Sequence, residues 1–485
     1  MKLKDLVQGA PGVRFSPPEL GLEVSGLSDN SQLVKPGDLF GSLPSAGGKN
    51  PERARYEAQA LGAGAVAVLK ATEPRLAWAR ICANFYGRPS EKMQVAGITG
   101  TNGKTTTAFL LRSILDAAGK KTAMLGTVGY YIGKKRVEAP NTTPGALELT
   151  KLFDEAVKAH TEALVMEVSS HALDQYRVDG CSYDVAVFSN LTQDHLDYHK
   201  TMDAYLRAKM RLFGLLKTGG VAVVNADDPA GKQMAKLRKP GSRLIGYSAA
   251  GKKTELTASS IKFSARETKF TLGWEGKGHP LRLPLPGRFN VSNALAAAGA
   301  ALGLGVPLAI VLKALKEPAV PPGRFELVDA GQDFQVVVDY AHTPDALERV
   351  LKTAREITEG RVIAVFGCGG DRDRGKRPKM GAIAAKLADL SIVTSDNPRS
   401  EDPEAILDEI FVGIPKKAGE VQSHLRLADR AKAIARAVKI AKKGDTIVLA
   451  GKGHEDYQVL AKGKVHFSDQ EHARAAIKAL GKKKG

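Results

Sequence analysis

"VAGITGTNGKTTTAFLLRSIL", residues 95–115, decides how the rest of the chain is read. An apolar run enters a glycine-rich turn, and the turn opens an amphipathic helical stretch. Glycines in such a turn let backbone N–H groups converge on phosphate oxygens, and the helix N-terminus adds the positive end of its dipole. Gly100, Thr101, Asn102, Gly103 and Thr106 would line the cradle. Lys104 is placed to reach the β- and γ-phosphates, and the Thr105 hydroxyl to ligate magnesium. The strict phosphate-loop pattern has a glycine where Ile98 stands; Gly97 and Gly100 flank that position, so the loop is a variant. A glycine-rich turn without a ligand is the bland alternative. The Gly-Lys-Thr run between strand and helix favours a nucleotide.

Outward from this loop, short apolar runs alternate with helical stretches: "EALVMEV", "YDVAVFSNL", "GVAVVNA", "FQVVVDY", "RVIAVFG", "LSIVT" and "DTIVLAG". Strand–helix alternation predicts an α/β fold with mainly parallel sheets. Two breaks stand out, "FYGRPSEKM" (85–93) and the proline-rich "KEPAVPPGRFE" (316–326). They predict three domains: a small N-terminal α/β domain over 1–92, a central P-loop ATPase-type parallel-sheet domain over 93–322, and a C-terminal Rossmann-like domain over 323–485.

No run approaches the ~18 apolar residues of a membrane span, and the N-terminus lacks the apolar core of a signal peptide. Cys82, Cys181 and Cys368 are too far apart for a disulfide scaffold, which fits a reducing cytoplasm. Cys368 has no nearby zinc partners. The net charge of +19 raises the possibility of nucleic acid binding. The lysines are scattered, though, apart from the tail "GKKKG", and 6% aromatic content is poor material for base stacking. Anionic small substrates account for the charge better, and no nucleic acid partner is expected.

The loop variant "GTNGKTT" resembles the Mur ligase family, which also includes folylpolyglutamate synthases and joins amines to carboxylates at the expense of ATP. Further segments carry the resemblance in order: "NTTP" (141–144), "EVSSHALDQYRV" (167–178), "NLTQDHLDYH" (190–199), "YLRAKMRLF" (205–213), "GRFNVSNALAA" (287–297), "PGRFELV" (322–328), "VDYAHTPDALE" (338–348), "FGCGGDRDRGKRPKM" (366–380), "SDNPR" (395–399) and "GKGHEDYQ" (451–458). They look like the branch that adds the third peptide residue to a peptidoglycan precursor, UDP-MurNAc-L-Ala-D-Glu.

The resemblance implies two steps. ATP phosphorylates the D-glutamate side-chain carboxylate, and an incoming amine attacks the acyl phosphate. Such chemistry rests on positioning and charge stabilisation. Lys104 and Lys209 are the implied catalytic residues. Thr105, Glu167, His195 and Lys209 would hold two magnesium ions, Lys209 as a carbamate formed with CO2. A carbamate requires a deprotonated amine, hence a lysine with a lowered pKa. A lone histidine or a lone helical lysine is otherwise more often structural or solvated, so these roles rest on the resemblance. Asn293, Arg324, Asp339 and His342 are implied ATP neighbours; without it, Asn293 would read as a helix N-cap and Arg324 as a surface charge. Ser31, Asn141, Thr142, Thr143, Ser169, Gln175 and Arg177 are implied contacts of the UDP-linked substrate. Asn30-Ser31-Gln32 departs from the family's usual Asp-Ser-Arg. A monomer in the cytoplasm is expected.

The added amino acid is the remaining choice. Diaminopimelate carries a carboxylate at its far end that lysine lacks, so its site needs an extra cation. "DNPR" resembles the meso-diaminopimelate-adding form, with Arg399 as that cation, Asp396, Asn397 and Pro398 shaping the pocket, and Arg372 opposite. Gly451 and Glu455 match the partners of the distal amine. Glu401 and Asp402 read as acids favoured at the start of the next helix. L-lysine addition, another amide ligase and a basic nucleic-acid-binding P-loop protein are the rivals, in falling order.

Overall fold

The computed structural model describes residues 1–18, 21–44, 51–236, 238–415 and 423–481. The basic tail lies almost wholly outside them. The chain divides into two compact units. The first comprises Met1–Leu191, His199–Thr257 and Asn293–Ala314; the second comprises Thr192–Tyr198, Ala258–Ser292 and Leu315–Gly485.

Within the first unit, the N-terminal region forms a four-stranded sheet in the order Val13–Ser16, Ala67–Ala71, Asp38–Phe40, Gly26–Ser28. Trp78 is fully buried beneath it among Leu3, Leu39 and Leu69. The phosphate-loop strand, Gln94–Thr99, lies inside a larger sheet, paired in parallel with Ala163–Glu167 on one side and Tyr183–Phe188 on the other. Both partners come later in the chain, so the strand order reverses direction there. Ligands of open α/β sheets bind at the carboxyl ends of strands at such a point. The strands read as unbroken apolar runs (Val95, Ala96, Ile98; Leu164, Val165, Met166) because helices cover both faces.

Two helices position the site. Lys104–Ala117 starts from Gly103, whose φ of +88° turns the loop into the helix. Met202–Gly214 is N-capped by Thr201, whose hydroxyl accepts from the Ala204 N–H at 3.1 Å. Its buried stripe of Tyr205, Ala208, Lys209 and Leu212 follows helical spacing, and Lys209 stands on that stripe.

The second unit holds a six-stranded sheet in the order Glu326–Leu327, Gln335–Asp339, Thr446–Ala450, Val362–Phe366, Leu390–Val393, His424–Arg426, parallel except for the first pair. Asp339 is the last residue of its strand, and Gly451, the loop 367–375 and the loop 394–402 follow the carboxyl ends of theirs. Among the described residues, no helix is long and apolar enough to cross a membrane. The α/β expectation with parallel sheets is thus met. Asn293 lies inside the helix Arg288–Gly303 and does not cap it.

Candidate active site

The backbone of the phosphate loop is held by the Lys104 side chain and by Asn190. Lys104 Nζ donates to the carbonyls of Gly100 and Thr101, both at 2.8 Å. The Thr101 N–H donates to Asn190 O at 2.8 Å and the Asn102 N–H to Asn190 Oδ1 at 2.9 Å. Thr105 and Thr106 are buried in the first helical turn. A Cβ on Gly103 would lie 2.3 Å from Asn293 Oδ1, which places the Asn293 side chain against the loop.

Glu167 ends its strand directly behind the loop. Its Oε2 accepts from the Thr105 hydroxyl at 2.9 Å and the Thr127 hydroxyl at 3.1 Å, and its Oε1 from the Thr127 N–H at 2.9 Å. Hard oxygen donors at a helix N-terminus suit magnesium and a polyphosphate. Lys209 is 1% exposed. Its Nζ donates to Gly100 O at 2.9 Å, the carbonyl that Lys104 also uses, and sits 4.3 Å from the Tyr205 ring centroid. His195 falls in the second unit, half-exposed in a left-handed backbone (φ +53°), with Nε2 3.4 Å from Asp194 Oδ2. Among the described residues, no three His, Cys, Asp or Glu side chains form a metal-holding group by themselves.

Most of the residues expected to meet the UDP-linked substrate are brought together. Thr142 meets Thr127 hydroxyl to hydroxyl at 3.1 Å. The Thr143 hydroxyl donates to Glu167 O at 2.9 Å and accepts from the Ser169 N–H at 3.0 Å. Arg177 donates to Thr143 O at 3.1 Å and, through Nε and Nη2, to Gln175 Oε1 at 3.0 and 2.7 Å. Asn141 O accepts from the Tyr130 hydroxyl at 2.6 Å. Ser31, buried in the N-terminal region, donates to Gln59 Oε1 at 3.0 Å.

In the second unit, Arg324 stacks on the Tyr340 ring at 4.6 Å, and the His342 ring meets the same tyrosine edge-on at 4.6 Å. Burial pushes the Asp339 carboxyl above its ordinary range, while Arg324 and the Phe325 and Ala341 N–H groups pull it back. Burial and the nearby Lys376 lower His342, which favours the neutral imidazole.

The loops 367–375 and 394–402 form the second pocket. Arg399 has φ +53°, and its Nη1 donates to Gly370 O at 2.8 Å and Asn397 O at 3.3 Å. Among the described residues its Nε and Nη2 make no hydrogen bond, leaving the bidentate edge of the guanidinium available. Arg372, on an exposed turn, packs with Arg399 around Gly369. Burial first, then the like charge of Arg372, lowers the Arg399 pKa. Arg372 raises the positive potential at Arg399, while Asp396, Glu455 and Asp371 act on it in the opposite sense.

Opposite them lie acids. Asp396 is buried, and a Cβ on Gly451 (φ +122°) would lie 2.3 Å from its Oδ2, so only glycine lets the strand end approach it. Glu455 Oε2 accepts from Asn397 Nδ2 at 2.9 Å and Lys452 Nζ at 3.2 Å. Burial raises the Glu455 pKa, and Lys452 opposes the rise. Pro398 is buried, its carbonyl against Gly370.

Several supporting residues escaped the sequence reading. Lys452, fully buried, also donates to Asn397 Oδ1 at 3.1 Å; it lies within the quoted "GKGHEDYQ", but nothing in one dimension shows it buried. Arg430 and Asp469, both with fully buried side chains, pair at 2.6 Å, and Arg430 also holds the carbonyls of Ser395 and Ala450 at 3.4 and 3.1 Å. The expectation for the helix Pro403–Phe411 is half right. Asp402 caps it, accepting from the Glu404 N–H at 3.1 Å. Glu401 instead pairs with the buried Arg377, because that guanidinium needs an anion more than the helix end does.

Two family models match the chain: the Mur ligase middle domain over residues 98–301, and the Mur ligase glutamate ligase domain over residues 323–453. The chain is 45% identical to the UDP-N-acetylmuramoyl-L-alanyl-D-glutamate--2,6-diaminopimelate ligase of Trichormus variabilis, over 98% of this chain and 99% of that one. It is 42% identical to the protein of that name from Geobacter metallireducens, over 100% and 99%. A solved structure of a ligase of the same name superposes with a TM-score of 0.69 at 34% identity, covering 96% of each chain. The MurF ligase of Thermotoga maritima, solved with ADP, shares the fold with a TM-score of 0.64 at 18% identity, over 96% and 99%.

Proposed function

The chain belongs to the Mur ligase family, and we propose that it adds meso-2,6-diaminopimelate to the D-glutamate side-chain carboxylate of UDP-MurNAc-L-Ala-D-Glu in an ATP-dependent step of peptidoglycan precursor synthesis. The relatives that carry this activity in their names match nearly end to end. The observation that carries the choice of amino acid is the pair Arg372 and Arg399 around Gly369, facing Asp396 and Glu455. Such a pocket offers cations to a carboxylate and anions to an ammonium, the two charges at the far end of diaminopimelate.

The chemistry follows from the donors in place. The γ-phosphoryl group passes from ATP to the glutamate carboxylate; the amine then attacks the acyl carbon, the carbon–oxygen bond to phosphate breaks, and an amide forms. The loop N–H groups and Lys104 hold the triphosphate and stabilise charge spreading over the transferred group. Thr105 and Glu167 supply oxygen ligands suited to a magnesium ion, which would offset charge between two anions. Lys209 fits a carbamate. Its amine is buried beside the phosphate loop, where its Nζ shares the Gly100 carbonyl with Lys104. As a carbamate it would supply oxygens to a second magnesium, with His195 as a further ligand. Arg324, Asp339, His342 and Asn293 would contact ATP; Ser31, Asn141, Thr142, Thr143, Ser169, Gln175 and Arg177 would contact the UDP-linked substrate. Asn397, Pro398 and Gly451 would complete the amino-acid pocket. A division into three domains near residues 92 and 322 is part of the same reading. A cytoplasmic monomer completes the reading.

Phosphate release tests it. With UDP-MurNAc-L-Ala-D-Glu and ATP, turnover should depend on meso-diaminopimelate and be at least ~10²-fold less efficient with L-lysine. Equal efficiency with lysine would overturn the reading of the pocket, and no precursor-dependent release would overturn the activity.

A further inference from the structure

The two arginines of the amino-acid pocket stand on loops with no regular hydrogen-bond ladder of their own. Both loops pass through the left-handed region, at Asp371 (φ +52°) and at Arg399 (φ +53°), where L residues rarely settle. Such turns persist only when the surroundings over-determine them.

One buried side chain lies behind both. Arg377, fully buried in the helix Lys376–Leu387, donates from Nη1 to Glu401 Oε2 at 2.9 Å and from Nη2 to Glu401 Oε1 at 2.8 Å. Its Nη1 also reaches Glu409 Oε2 at 2.9 Å, and its Nη2 the carbonyl of Gly369 at 3.3 Å. Glu401 Oε1 in turn accepts the N–H of Asp371, the residue before Arg372. Around this pair the loops are laced directly. The Gly370 N–H donates to Asn397 O at 2.9 Å, and the Ser400 hydroxyl to Asp371 Oδ1 at 2.7 Å. The fork on Arg377 and the Asp371 N–H hold Glu401 down to about 2, so it stays ionised across any assay range.

We propose that the Arg377–Glu401 ion pair is a specificity-determining positioning element: it fixes the loop carrying Arg372 against the loop carrying Arg399, and so sets the spacing at which the two read a distal carboxylate. Neither residue is assigned to touch substrate. The helix Lys376–Leu387 anchors the pair, while Glu401 is the only side chain among the described residues that bonds both Arg377 and the backbone of the Arg372 loop. The inference rests on the diaminopimelate reading of the pocket.

Glu401→Gln tests it, with Glu401→Asp as the conservative partner. Gln keeps the size but sets an amide N–H₂ against a guanidinium; Asp keeps the charge on a shorter stem. In Glu401→Gln, KM for diaminopimelate should rise about tenfold, the loss expected for one charge-assisted hydrogen bond. KM for ATP and for UDP-MurNAc-L-Ala-D-Glu should stay within about twofold, and the diaminopimelate-to-lysine ratio of kcat/KM should fall in step. Glu401→Asp should recover part of that ratio. A merely structural pair would lower Tm and active fraction in Glu401→Gln while leaving the KM for diaminopimelate and the ratio at parental values, and that result overturns the proposal. A parent enzyme unable to use diaminopimelate refutes the pocket reading, and this inference with it.

Discussion

Replacing Arg399 tests the contact that distinguishes diaminopimelate from lysine. Its Nη1 is engaged by Gly370 O and Asn397 O, which leaves Nε and Nη2 for the ligand carboxylate. Two hydrogen bonds to a charged group, at roughly 1.5–3 kcal/mol each, give roughly 3–6 kcal/mol. Arg399 is half-buried, so solvent screening favours the lower half of that range. At about 1.4 kcal/mol per decade, Arg399→Ala should lose ~10²–10³-fold in kcat/KM for diaminopimelate. Arg399→Lys keeps the charge but not the fork and should recover about tenfold of that loss. Arg399→Gly should match Ala in activity, yet be about 0.5–1 kcal/mol more stable, because position 399 has φ +53°. The assay is phosphate release at saturating ATP and UDP-MurNAc-L-Ala-D-Glu with diaminopimelate varied, together with thermal unfolding of each variant. An Arg399→Ala enzyme within about threefold of the parent, or a KM for ATP that moves in parallel, would refute the reasoning.

Gly103→Ala sets a Cβ 2.3 Å from Asn293 Oδ1 at a residue with φ +88°; a strain of about 1–3 kcal/mol should appear as weakened ATP binding in calorimetry and a lowered Tm. Lys209→Met should lower kcat by at least ~10², and carbon-13-labelled bicarbonate should give the parent protein a carbamate resonance that the variant lacks. Burial raises the Glu455 pKa, so KM for diaminopimelate should climb on acidification sooner than a surface glutamate would allow, and Glu455→Gln should flatten that climb. The same shift has the opposite sign in folding: the native state binds this proton more tightly than the unfolded chain, so the group's contribution to stability falls as pH rises through its native pKa.

Legibility differed between the two pockets for a physical reason. The phosphate loop is contiguous, and strand, turn and helix chemistry follow one another along residues 95–115. Lys209 was half legible. Tyr205, Ala208 and Leu212 surround it at helical spacing, and that stripe announces burial even though lysine does not. Arg377 was not legible, because its partners Glu401 and Glu409 lie beyond a helix and a strand, and only the parallel sheet brings the two loops to one edge. For the same reason Glu401 read as a helix-end acid: its local sequence is that of a cap, and its actual bond is long-range. Lys452 and Arg430 share this character. Their function comes from what is buried around them, which composition does not record.

Glu167 has a consequence for how occupancy is communicated within the first unit. Its carboxylate accepts hydrogen bonds from the hydroxyls of Thr105, on the phosphate loop, and of Thr127, which touches Thr142; its backbone carbonyl accepts one from the Thr143 hydroxyl. A cation recruiting that carboxylate must redistribute the same donors that order the "NTTP" segment. Any free energy so transmitted is reciprocal: whatever nucleotide and metal do to the affinity of a ligand at Thr142 and Thr143, that ligand does equally to theirs. Independent binding of the two ligands would then require this hydrogen-bonded chain to remain unchanged, whereas mutual dependence of their affinities is the natural outcome of a shared acceptor.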